Sequence, residues 1–339
     1  MAANSGIEWT GDTWNCLSGC EAISPGCAHC YAATMTRRLE AIGQADYTGL
    51  TTAKHFNGVV RCLPHKLDIP LKRKKPTTYF VNSMSDLFHE DVPDDFIDRV
   101  FAVMSLCPQH TFQVLTKRAE RMQRYLYNWP NGMSRGHHVA LQRNEAGDGL
   151  ASIPHRHHPN GSFSDGTGPT VKLPLPNVWL GVSAEDQQRA DERIPWLLKT
   201  PAAVRFVSAE PLLGPITLDS GPRGGPPRYM SIEVDHNDDR MLDWVIVGGE
   251  SGGGSRPCDL TWIRSIVKQC QAAGVPCFVK QVGAKPILDC PPGEEAEGQT
   301  REDGSARYWT VGFIKDKKGG EPSEWPADLR VREMPHAIA

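Results

Sequence analysis

The chain has 339 residues, with 37 Lys and Arg against 40 Asp and Glu, and its formal net charge of −3 excludes a global electrostatic attraction to nucleic acid. Hydrophobic residues make up 39% of it, enough for a large core, and no run of about eighteen apolar residues offers a membrane-spanning helix. The opening Met1-Ala2-Ala3-Asn4-Ser5-Gly6-Ile7-Glu8 lacks the basic and apolar regions of a secretory signal, so a cytoplasmic location with reduced thiols is expected.

In chain order, Ile7-Glu8-Trp9-Thr10 reads as a short strand or entry segment and Gly11-Asp12 as a turn. Cys16, Cys20, Cys27 and Cys30 then place four of the ten cysteines within fifteen residues, the last three spaced C-x6-C-x2-C. Ser24-Pro25-Gly26 forms a tight bend that folds the segment back and lets the sulfurs converge. A helix is predicted over 31–42, with Met35 and Leu39 on one face and Arg37, Arg38 and Glu40 on the other. Lys72-Arg73-Lys74-Lys75 is a basic run, either a solvated face or a phosphate-contacting edge.

Residues 77–82 read as a strand from their β-branched and aromatic content, followed by the polar loop Ser83-Met84-Ser85-Asp86. A helix from Pro93-Asp94-Asp95 to about 105 carries Phe96, Val100 and Met104 along one face. Residues 111–116 form the next strand, with Lys117-Arg118 at its end and a helix through about 125. Residues 128–176, rich in Gly, Pro, His, Asn and Ser, read as an excursion, partly disordered or a flexible flap. His137, His138, His155, His157 and His158 lie there without a spacing that enforces a metal site.

The alternation then resumes. Strands are predicted at 178–182, 204–207, 244–247 and 275–279, ending in Ser183-Ala184-Glu185, Ser208-Ala209-Glu210-Pro211, Gly248-Gly249-Glu250-Ser251-Gly252 and Lys280-Gln281. Helices are predicted over 186–198 and 260–273. Residues 219–240 form a second Gly/Pro/Asp-rich insertion, and 287–339 read as a polar C-terminal extension of a domain spanning 1–286.

Short continuous apolar strands alternating with helices indicate an α/β fold with a parallel sheet. No G-x-G-x-x-G follows the first strand, and Gly252-Gly253-Gly254 is a late, weak phosphate-loop signal. Ser83, Ser85, Asp86, Lys117, Ser183, Glu185, Glu210, Glu250 and Lys280 all follow strand ends, which open on one face in a (β/α) barrel. The prediction is a partial or complete (β/α) TIM-type barrel with loop insertions. No G-x-S-x-G elbow suggests a hydrolase. Most of the six cysteines outside the loop read as small buried hydrophobes.

The cysteine loop admits three physical readings. Cys16, Cys20, Cys27 and Cys30, with His29 nearby, supply enough ligands for a closed zinc site. Four thiolates also suit an electron-transfer [4Fe–4S] cluster. Three thiolates would leave one iron open to a cofactor, the arrangement that best suits a loop leading into the first helix of a barrel.

The segments Gly19-Cys20, Ser24-Pro25-Gly26-Cys27 and Cys30-Tyr31-Ala32 resemble the three-cysteine motif of the phage Gp37/Gp68 family, also called DUF5131. Further matches are Ile7-Glu8-Trp9-Thr10, Thr13-Trp14-Asn15, Asn82-Ser83-Met84-Ser85-Asp86-Leu87-Phe88, Leu115-Thr116-Lys117-Arg118, Trp179-Leu180-Gly181-Val182-Ser183, Ala209-Glu210-Pro211-Leu212 and Gly248-Gly249-Glu250-Ser251. That family is similar to the radical S-adenosylmethionine (SAM) enzymes of the spore photoproduct lyase-like branch. The resemblance implies a [4Fe–4S] cluster held by Cys20, Cys27 and Cys30, with C-x6-C-x2-C in place of the usual C-x3-C-x2-C and Cys16 as a further ligand candidate. It implies SAM contacts at Ser83, Ser85, Lys117 and Ser183. Chemistry suits Lys117 to the methionine carboxylate and Asp86 to its ammonium, and Glu210 and Glu250 to ribose or substrate.

The implied reaction is reductive cleavage of SAM to methionine and a 5′-deoxyadenosyl radical. An external electron donor of the flavodoxin or ferredoxin type is expected. The lyase-like pattern and the basic runs at Lys72–Lys75 and Lys117-Arg118 make nucleic acid the first candidate substrate. The alternatives are a zinc-stabilised, non-catalytic nucleic-acid-binding or interaction protein, and an iron–sulfur electron carrier on a scaffold.

Overall fold

The computed structural model describes residues 6–127, 141–143, 150–152, 173–218, 229–230, 241–289, 307–309 and 314–335. Nearly all of the two predicted insertions, and the five histidines of the first, lie outside the described residues.

Seven strands form one parallel sheet: β1 (Asp12–Trp14), β2 (Thr78–Val81), β3 (Thr111–Thr116), β4 (Val178–Ser183), β5 (Val204–Ala209), β6 (Trp244–Gly248) and β7 (Cys277–Gln281). Their order in space is their order in the chain. A doubly wound sheet reverses its strand order at a switch point; this sheet never does, so it winds one way, as a half-barrel.

The winding is visible in the side chains. Trp9, Phe80, Trp179, Val204, Phe206, Trp244, Ile246 and Phe278 form a separate buried cluster on the inner face. The Trp9 ring lies 4.8 Å from that of Phe80 on β2 and 6.1 Å from that of Trp244 on β6. Those two rings are therefore no more than about 11 Å apart, whereas four strand spacings in a flat sheet amount to about 19 Å. Gly181 makes room for this packing, since a Cβ there would stand 2.5 Å from the Phe206 ring.

The alternate residues face outward. Val178, Leu180 and Val182 of β4, with Val207, Val245, Val247 and Val279, join the larger core beneath the helices. The longer helices are α1 (Tyr31–Ala41), α2 (Asp94–Ser105), α3 (Ala119–Tyr127), α4 (Gln187–Leu198) and α5 (Leu260–Ala273). In α2, Asp94 and Asp95 occupy the first turn, where carboxylates oppose the helix dipole, and Phe96, Ile97, Val100, Phe101 and Met104 are buried. Asp259 caps α5 by accepting from Thr261 N at 2.9 Å, and Gly274 ends it at φ +68°. Gly274→Ala forces a Cβ into the left-handed region and is expected to cost about 1–2 kcal/mol in chemical denaturation.

Two expectations are corrected. The first strand is Asp12–Trp14, paired in parallel with Tyr79–Val81, so Asp12 belongs to a strand and not to a turn; the 7–10 segment is an entry segment rather than a strand, and it sends Trp9 into the barrel interior. On α1 the buried residues are Ala32, Ala33 and Thr36, while Met35 is 39% exposed. Small side chains let that helix lie close, and two apolar residues four apart are too few to fix a face.

Residues 314–335 pack against the barrel. Trp325 and Leu329 are fully buried, and Val279 N donates to Val331 O while Glu333 N donates to Cys277 O. The free edge of β7 is thereby covered. No helix among the described residues is long and apolar enough to cross a membrane.

Candidate functional site

The chain leaves β1 at its C-terminal end and enters the cysteine loop. Leu17–Ser18 pairs antiparallel with Arg61–Cys62, and Asn82 Oδ1 accepts from Leu17 N at 3.1 Å and from Cys16 Sγ at 3.5 Å. Cys16 is thus fixed in the core, with no exposed surface, and burial pushes its thiol up to about 12. Gly19 turns the chain at φ +85° and forms a bridge with Ser85; a Cβ there would stand 2.0 Å from Val59 O.

Beyond this turn the cysteines change surroundings. Cys20, Cys27 and Cys30 are half-buried rather than sealed in the core. Pro25–Cys27 is a single 3-10 turn, and Cys30 immediately precedes α1. Burial, with the Asp86 charge adding to it, pushes the Cys20 thiol up to about 12, and burial also raises Cys30. Such thiols stay protonated until a cation displaces their protons. Cys30 lies close enough to Cys20 to add to the rise of its thiol, and Cys27 close enough to Cys30 to do the same there. Among the described residues, no three His, Cys, Asp or Glu side chains stand close enough to hold a single metal ion.

The C-terminal ends of the strands face this loop. After β2, Ser83 Oγ donates to Asn15 Oδ1 at 3.1 Å, and its carbonyl accepts from Tyr31 OH at 2.6 Å. Ser85 Oγ is buried without a hydrogen-bond partner. Asp86 is 6% exposed and fully engaged: it accepts from Phe88 N at 3.0 Å, Thr116 Oγ1 at 2.7 Å, Lys117 N at 3.1 Å and Arg118 Nη1 at 3.1 Å. It therefore ties the β2 loop to the end of β3 and sets the backbone of Lys117.

Lys117 Nζ is ion-paired with Glu185, two residues beyond β4. Glu185 has no exposed surface; Arg193 Nη1 of α4 holds its Oε2 at 3.0 Å, and Ser24 Oγ of the cysteine loop donates to its Oε1 at 2.7 Å. Burial disfavours the charge of Glu185, but the adjacent Lys117 and Arg193 cations outweigh it and lower its pKa. Ser183 is buried at the end of β4, in register with Ser208 of β5, and its carbonyl accepts from Arg193 at 2.9 Å. Glu210, past β5, pairs with Lys280 of β7 at 3.1 Å.

Glu250, past β6, is 6% exposed. Arg256 grips it through backbone N at 2.8 Å, Nε at 3.0 Å and Nη2 at 2.6 Å, and His29 Nδ1 lies 3.0 Å from Oε2. Burial works against this charge, yet the bonds from Arg256 and His29 prevail and bring the carboxyl down to about 2. Its stabilising contribution is therefore complete above the ordinary value of 4.5 and is lost as pH falls through about 2. Across that window the wild-type chain is expected to lose stability more steeply than Glu250→Gln, as measured by urea midpoints at stepped pH.

The predicted residues thus gather at one end of the half-barrel. Sequence reasoning missed Arg193 and Arg256, read Ser24 only as part of the bend and His29 only as a neighbour of a zinc site, and placed Glu185 only among the strand-end groups. One signal for Glu185 was available, since it follows its strand by two residues, as Glu250 does. The basic run lies elsewhere. Residues 72–75 precede β2, at the N-terminal end of the sheet; Lys72 pairs with Asp68 and Arg73 with Asp12.

A family model described as "Protein of unknown function (DUF5131)" matches residues 4–308. No curated protein and no solved structure matches the chain.

Proposed function

The chain belongs to the DUF5131 family, and from that starting point we propose that it is a radical SAM enzyme whose Cys20, Cys27 and Cys30 hold a [4Fe–4S] cluster. One observation carries the reading. Three half-buried cysteines on one loop stand at the C-terminal mouth of a parallel half-barrel, apart from a fourth that is locked in the core. Enzymes built on (β/α) barrels keep their sites at that mouth.

The residues suit such a group. Their donor set is all thiol, the soft ligand type of iron–sulfur clusters. Arg118 lies beside Cys20 and Lys117 near Cys30, each a cation that works against the burial that raises the thiol it faces. The unpartnered Ser85 Oγ supplies a polar atom on the bridge next to Cys20. When bound, the cluster would supply the electron that cleaves SAM to methionine and a 5′-deoxyadenosyl radical.

The remaining work falls to the side chains. Ser183 and Glu210 line the strand ends as polar contacts for SAM or substrate, and Lys117, which Glu185 holds in place, is the cation there for a carboxylate. Asp86, with its oxygens already engaged, holds Lys117 and Arg118 in place. A small external reductant of the flavodoxin or ferredoxin type is the expected partner, and the cytoplasm the expected location. The basic run at 72–75 sits at the opposite end of the sheet from the cysteines and gives no support of its own to nucleic acid as substrate.

The reading is tested by anaerobic reconstitution with ferrous iron and sulfide, followed by metal analysis and incubation with SAM and dithionite. Bound iron and sulfide in cluster proportion, with 5′-deoxyadenosine in the products, are expected. A colourless protein that retains only zinc would instead favour the zinc-stabilised interaction module.

A further inference from the structure

The turn that carries Cys27 and Cys30 has little structure of its own. Its backbone bonds are Cys27 N to Ser24 O at 2.9 Å, Ala28 N to Pro25 O at 3.2 Å and Cys30 N to Cys27 O at 3.3 Å. A single turn of this kind does not hold its shape in water. It is gripped instead from two sides by buried carboxylates rooted in the sheet.

On one side stands Glu185. Ser24 Oγ donates to its Oε1 at 2.7 Å and lies 3.7 Å from Cys27 Sγ. The Gly26 backbone rests directly on the same side chain: a Cβ there would stand 2.3 Å from Oε1 and 2.5 Å from Cγ. Lys117 and Arg193 fix Glu185 from behind. On the other side stands Glu250, which meets His29 at 3.0 Å and holds Arg256, whose Nη1 donates to Pro25 O at 2.8 Å. Consecutive positions of the turn are thus engaged alternately, Ser24 and Gly26 by Glu185, and Pro25 and His29 by Glu250 with its arginine.

We propose that Glu185 and Glu250 are positioning residues: together they impose the conformation of the 24–30 turn, and with it the placement of Cys27 and Cys30, from the ends of β4 and β6. The ligand role of the two cysteines rests on the reading proposed above; the grip itself rests on the contacts just described. Neither carboxylate has to touch the bound group. Each acts through the turn, and charge-assisted bonds of this kind are the strong members of a hydrogen-bond set.

The test uses full-length apoprotein and three variants, Ser24→Ala, Gly26→Ala and Glu250→Gln. The first two act from the loop side and leave Glu185 with its cations. Each cysteine is followed by pulsed iodoacetamide labelling and peptide mass spectrometry, and iron uptake is measured after anaerobic reconstitution. Labelling of Cys27 and Cys30 is expected to rise roughly tenfold in each variant, as loss of a bond to a charged group multiplies the open fraction of a loop by about that factor or more. Cys107 and Cys258, 1% and 0% exposed, serve as internal controls and should not change. Iron uptake should fall severalfold.

Unchanged labelling of Cys27 and Cys30 in both Ser24→Ala and Glu250→Gln would overturn the proposal. So would a rise shared equally by Cys107 and Cys258 in all three variants, which would indicate a general loosening of the fold. Wild-type protein that takes up no iron would count against the cluster reading alone, and the labelling ratios would still decide on the grip.

Discussion

Cys27→Ala and Cys30→Ala are each expected to lower iron uptake by about a hundredfold or more, because even groups that merely orient metal ligands are worth 10–100-fold in affinity. Both thiols are half-buried at the mouth of the half-barrel, on a turn tied to the ends of β4 and β6. Cys16→Ala should behave differently. Its sulfur is enclosed in the core and bonded to Asn82, so that change should affect stability and leave iron uptake intact. Iron per chain after anaerobic reconstitution separates the two outcomes. Equal loss in all three variants would restore Cys16 as a ligand and displace the three-cysteine account.

Trp244→Ala is expected to destabilise the chain by about 3–5 kcal/mol, the usual range for deleting a large aromatic from a packed core. Trp244 has no exposed surface and sits at the hub of the inner cluster. Its ring lies 6.1 Å from that of Trp9, 6.0 Å from Trp179, 5.7 Å from Phe206 and 6.3 Å from Phe278. Its indole N–H also donates to Glu333 O at 2.9 Å, joining the barrel interior to the C-terminal segment that covers β7. The measurement is the shift of the urea midpoint. A change under about 1 kcal/mol would mean that the interior collapses around the missing ring and that its curvature does not depend on this hub.

Much of the architecture was legible because its signals are local. Runs such as Val178–Ser183 and Trp244–Gly248 are apolar on both faces, as strands covered on both sides must be, and α2, α4 and α5 carry apolar periodicity between clear end signals. β1 was not legible: three residues, Asp-Thr-Trp, give no period to read, and only the pairing with β2 makes them a strand. Trp9 likewise gains its meaning from Phe80 and Trp244, which are distant in the chain.

The site divides in the same way. The cysteines and the polar strand ends were visible as residue types at a spacing. Their pairing was not. Ser24 and Glu185 are 161 residues apart, and His29 and Glu250 are 221 apart. No local pattern announces that Lys117 faces a buried carboxylate, or that the oxygens of Asp86 are already engaged by Thr116, Lys117 and Arg118. Those assignments follow from the sheet order, which brings the ends of seven strands to one mouth.

The most direct test of the central claim is electron paramagnetic resonance of the dithionite-reduced, reconstituted protein with and without SAM. A reduced [4Fe–4S] signal that changes on addition of SAM is the predicted result, because a cluster held by only three protein thiolates would leave one of its irons without a protein ligand and open to the cofactor. A cluster signal indifferent to SAM, or none at all in a protein loaded with zinc, would contradict the account.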